Sequence, residues 1–143
     1  MKSLVRIAAT LALLGILAAV TWCSLAPSPD MVKVEWMPRL LGRWANENPT
    51  FRNFPAFAVL AVFFYLTGAA WSNSGRAAVA FFSAVASSVL AVVLEVAQLL
   101  LPARCFDPDD MAWSMAGALT GATLAWVVGA FLKAIPFIKT DTR

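Results

Sequence analysis

Four long apolar stretches, separated by short polar breaks, set the pattern of this chain. They cover residues 4–25, 53–71, 77–101 and 111–135, and each approaches or exceeds the roughly 20 residues a helix needs to cross a bilayer. None alternates with the period of two expected of a barrel strand. Ser72-Asn73-Ser74-Gly75-Arg76 is a tight polar turn, which sets the second and third stretches antiparallel. Residues 26–52 form the one sizeable connection, punctuated by Pro27, Pro29, Pro38 and Pro49. Within it Val34, Met37, Leu41 and Trp44 recur at helical spacing, with Lys33, Arg39 and Arg43 elsewhere. This reads either as a short interfacial helix with tryptophans at headgroup depth or as an irregular loop along the membrane. The pattern predicts an all-α membrane protein, an antiparallel bundle of four transmembrane helices in a single domain over 1–143.

Composition strengthens that reading. The 143 residues are 61% hydrophobic and only 13% charged, more apolar surface than a soluble core of this size could hide. The net charge of +3 suits basic ends facing an anionic leaflet, and the scattered basic residues form no stripe for nucleic acid. The chain has no histidine, which excludes Ser-His-Asp and Cys-His catalysis and any His-ligated metal. Two cysteines are too few for a structural zinc site, and no cofactor is expected. The first stretch follows the basic start Met1 to Arg6, as a signal peptide would. Its small-x-small site, Ser24-Leu25-Ala26, is followed by Pro27, and Trp22 precedes Cys23 where a lipoprotein needs a small residue; the stretch is therefore read as the first span.

Four spans put both termini on one side. Lys2, Arg6, Arg76, Lys133, Lys139 and Arg143 fall on that side, and Lys33, Arg39, Arg43, Arg52 and Arg104 on the other. The positive-inside rule then gives a bacterial inner-membrane protein with cytoplasmic termini. Cys23 and Cys105 share the outer side, where they are either a disulfide or two thiols.

The chemistry gathers in residues 95–121. Glu95 lies seven residues before Pro102, about 10 Å from the helix end at 1.5 Å per residue. A charge at the centre of a membrane helix costs about 3 kcal/mol on insertion scales, so such a residue is a candidate for function. Ala84, Ser88, Ala91, Glu95 and Gln98 share one face of the third helix. Asp110, Ser114, Gly117, Gly121 and Ala125 share one face of the fourth, where Gly117-x-x-x-Gly121 permits close helix approach. These two faces are expected to meet around a small polar pocket. Arg104 is the natural cation for Glu95, steadied by Asp107 or Asp110. The set is either a buried ion-pair staple without a ligand or a site for a headgroup, phosphate or sugar. In the second case Arg104 takes the anion, and Glu95 and Asp107 take hydroxyls. The carboxylate spacing matches no recognised metal loop, and no metal site is expected.

These residues resemble the VanZ-like family of small bacterial membrane proteins. Its hallmark is met by Glu95-x-x-Gln98, Pro102-x-Arg104, Asp107-x-x-Asp110, Gly117 and Gly121, with Ser114 at the family's Asn position. An earlier family element, Asp-Lys-x-x-His-Phe-x-x-aromatic, falls on Pro49 to Phe57, where Asn53, Phe54 and Phe57 occupy key positions. The resemblance implies a four-helix bundle, site roles for Asn53 and Ser114, and resistance of the teicoplanin type in one member.

Two functions of different class follow. One is an outward-facing site that binds or modifies a lipid-linked or cell-envelope glycan. The other is a non-catalytic accessory or assembly subunit of a larger membrane complex, with membrane lipid as the common partner. A transporter is less favoured, because four helices carry no internal repeat. No general base and no activated nucleophile stands out, so no catalytic residue is assigned.

Overall fold

A computed structural model describes residues 2–26, 28–102 and 106–134. Among these there are four long helices: α1 (Lys2–Leu25), then after the interfacial segment α3 (Asn53–Trp71), α4 (Arg76–Gln98) and α5 (Pro108–Ala134). All four are long and apolar enough to cross a membrane, so the chain is an all-helical membrane protein. The interfacial segment holds a single 3₁₀ turn (Met31–Lys33) and the short helix α2 (Arg39–Glu47).

The bundle is built on α3 and α4, which share two cores. On one side, Phe57 and Leu60 of α3 and Ala91 and Leu94 of α4 are buried, and Leu13, Ile16, Leu17 and Val20 of α1 pack on them. On the other, Ala61, Ala84, Ala118 and Ala122 bring α3, α4 and α5 together. Small side chains suit this second core, because helices in lipid associate by close packing and gain nothing from expelling water. The approach is closest at Gly117 and Gly121. A Cβ on either would overlap backbone of α3, the Phe54 and Ala58 carbonyls respectively.

The Gly117–Gly121 face thus meets α3, where sequence reading set it against α4. The α4–α5 contact instead uses Ala84 against Ala118 and Ala122, one residue further round α5. Periodicity identifies the smallest face of a helix but not which neighbour it meets. On α4, Ala84, Ala91, Glu95 and Gln98 are buried as one face; Ser87, not Ser88, completes it.

Side-chain hydrogen bonds to backbone tie the end that carries the first residues of α1. Arg6 Nε donates to the Ala70 carbonyl (2.8 Å) and Thr67 Oγ1 to that of Ala9 (3.1 Å). Arg76 Nη1 donates to the Gly129 carbonyl, joining the start of α4 to α5.

At the opposite end the segment before α3 folds over the bundle. Helical pattern in 34–44 is realised only from Arg39 onward, because Pro38 disfavours helix in the residue before it and sits at the helix start. Met31, Val34 and Ala45 form a separate small core with Cys23, Met37 and Trp44 packed on it. Asn46 clasps this layer: its Oδ1 accepts from the Met31 N–H (2.8 Å) and its Nδ2 donates to Asp30 Oδ1 (2.6 Å). Asp30 in turn accepts from the Val32 N–H and pairs with Lys33. The Asn46 amide, then the Val32 N–H, hold the Asp30 carboxyl below the usual carboxylate range. Phe51 stacks on Phe54 and meets Trp44 and Trp113 edge-on, so α2, α3 and α5 share one aromatic group at this end.

Candidate functional site

The site starts from the local chemistry of the α4–α5 connection. Helix α4 ends at Gln98, three residues before the end of its apolar run at Leu101, and tight turns over Leu99–Leu101 follow. Helix α5 begins earlier than its apolar run, at Pro108. Asp107 caps it: its Oδ1 accepts from the Asp109 N–H (2.9 Å), and its carbonyl from the Met111 N–H (3.3 Å). An aspartate cap followed by proline at the first helical position is the favoured order, since proline has no N–H to leave unsatisfied.

Glu95 faces inward, with 5% of its surface exposed, and its Oε1 accepts from the Asp107 N–H at 2.7 Å. A buried carboxylate in the third span therefore holds the capping residue of the fourth. One turn into α5, Ser114 is buried and donates through Oγ to the Asp110 carbonyl (2.7 Å). Such a bond satisfies a hydroxyl within a helix at little cost. Asp110, half-buried, lies within electrostatic reach of Asp107, Glu95 and Arg52, and the Asn53 side-chain amide approaches its carboxylate. Among the described residues no three metal-ligating side chains converge.

A cavity of ≈ 570 Å³ opens beside this cluster. Its walls are apolar: Ile16, Ala19 and Val20 of α1, Ala56 and Val59 of α3, and Trp36, Leu41 and Trp44 of the interfacial segment. Its polar residues come from four elements: Ser24 near the end of α1, Arg52 and Asn53 at the start of α3, Gln98 at the end of α4, and Asp110 in the first turn of α5. The space thus lies between α1, α3 and the segment above them, and not between α4 and α5 as sequence reading expected. Deeper in the bundle the alanine core packs α4 against α5.

The candidate residues divide accordingly. Asn53, Gln98 and Asp110 line the cavity. Glu95, Asp107 and Ser114 stand behind it and fix where Asp110 sits. Gly117 and Gly121 seat α5 on α3. Arg104 and Cys105 lie outside the described residues, and with them the expected Glu95–Arg104 contact and the Cys23–Cys105 pairing. Cys23 lines the cavity. Arg52 was not singled out in sequence; an arginine next to the start of an apolar run was the only signal for it.

A family model described as VanZ/LLP1 matches residues 10–129, a span that runs from within α1 to within α5 and takes in the whole candidate site. No curated protein and no solved structure matches the chain.

Proposed function

Because the chain belongs to the VanZ/LLP1 family, we propose that it is an inner-membrane protein with cytoplasmic termini whose outward-facing cavity receives an amphiphile of the cell envelope. The ligand is a lipid-linked or glycan-bearing molecule, held with its polar head at Arg52, Gln98 and Asp110 and its apolar part along α1 and α3. The observation that carries this reading is the cavity itself: apolar walls of three elements end in an arginine, two amides and a carboxylate. Concave, mostly apolar sites with a few convergent polar groups are the usual form of a ligand pocket. Glu95 and Asp107 act as positioning residues. The side that carries the termini and Arg76 holds six basic residues against five on the other, which supports the orientation.

The test is what accompanies the protein in mild detergent. Bound lipid or lipid-linked glycan, at about one per chain and lost in Gln98→Leu and Arg52→Met, is the expected result. A stoichiometric protein partner with no such ligand would overturn it in favour of an accessory subunit. A Glu95→Gln variant that assembles and keeps the ligand unchanged would deny Glu95 its positioning role, and an unchanged Arg104→Ala would keep Arg104 out of the ligand's contacts.

A further inference from the structure

The polar end of the cavity holds opposite charges that do not pair with each other. Arg52 and Asp110 both line it, yet among the described residues the only salt bridge is that of Lys33 with Asp30, in the segment above. Arg52 is tethered from outside, its Nη1 donating to the Pro29 carbonyl at 3.1 Å. Its guanidinium makes no other hydrogen bond among the described residues, so further donors remain for a ligand. Gln98 is buried, only 8% exposed, and lines the cavity as well. The Asp110 carboxylate lies within electrostatic reach of Arg52 and of two further carboxylates, Asp107 and Glu95. A ligand head carrying phosphate alone would answer Arg52 but bring a second negative charge beside Asp110.

We propose that the cavity binds a zwitterionic phospholipid with a primary amine, its phosphate on Arg52, its ammonium on Asp110, and the Gln98 amide between them. This rests on the reading of the cavity as an amphiphile site and names the chemistry of the head. The phosphate takes the free guanidinium donors, which suit a planar anion. The ammonium offers three N–H donors to the Asp110 carboxylate, which among the described residues the Asn53 side-chain amide approaches. A quaternary ammonium of the same charge has no N–H to give, and a glycerol head has no charge to give.

The experiment uses the full chain in nanodiscs of equal phosphatidylethanolamine, phosphatidylcholine and phosphatidylglycerol. The discs are then dissolved in mild detergent and the retained lipid is quantified. The wild type is expected to retain phosphatidylethanolamine about tenfold over each of the other two, the effect of one charge-assisted hydrogen-bonded contact. Asp110→Asn should bring the three toward equality, and Arg52→Met should lower all three together. Retention in the proportions of the disc overturns the amine while leaving an amphiphile site standing. No retained lipid in the wild type overturns both. Because the comparison among lipids is made on the unaltered protein, it decides the matter even if Asp110→Asn fails to fold.

Discussion

Replacing Glu95 by alanine tests how the third span holds the fourth. The Asp107 N–H donates to Glu95 Oε1 at 2.7 Å, and the carboxylate is 5% exposed, so water screens the contact little. A hydrogen bond to a charged group contributes about 1.5–3 kcal/mol net, and leaving a buried partner unsatisfied adds to the loss. Because the Asp107 amide is only part-buried and can recruit water, the lower half of that range applies, about 2 kcal/mol. At roughly 2–4 °C per kcal/mol for a chain of this size, Glu95→Ala should unfold about 4–8 °C earlier in detergent. Glu95→Gln keeps an oxygen in place and loses only the charge, so it should lose about half as much. The direct readout is hydrogen exchange at the Asp107 amide, which should speed up in Glu95→Ala and much less in Glu95→Gln. Exchange at that amide unchanged in Glu95→Ala would show that the capping residue is held by something else, and the positioning role of Glu95 would fall with it.

Three further outcomes follow from the packing. Gly117→Ala and Gly121→Ala each push a methyl into α3 backbone and should cost about 1–3 kcal/mol in thermal unfolding, whereas Gly15→Ala, with nothing within 4 Å of its added methyl, should be neutral or mildly stabilising. Ser87 Oγ is buried without a partner among the described residues, so Ser87→Ala should hold or raise stability, by up to about 1 kcal/mol, in the same assay. The Asp30 carboxyl is held below its ordinary value when folded, so its contribution to the Asn46 clasp is present at neutral pH and fades as pH falls below about 4. Tryptophan emission, to which Trp36 and Trp44 contribute, should therefore show an acid transition that Asn46→Ala reduces.

Much of the architecture could be read from residue order alone. Four apolar runs of spanning length specify four membrane helices, because in lipid every backbone polar group must be satisfied within its own segment. Glu95 was recognisable as buried and answered nearby for a related reason: a carboxylate in an apolar run is too costly to leave facing lipid. The small faces of α4 and α5 were also legible, since residues three and four apart fall together on a helix.

What the faces meet was decided only in three dimensions. Helices α3 and α5 are apolar nearly all round, and lipid rewards neither side of such a helix over the other. Contact goes to whichever surfaces interlock, and Gly117 and Gly121 fit the backbone of α3 while alanines close the gap to α4. The cavity arises from the same cause: α1 packs on α3 and α4 through larger side chains, and the segment from Met31 to Ala45 covers the space left over. That is why Arg52, Gln98 and Asp110, separated by up to 58 positions in the sequence, come to line one site.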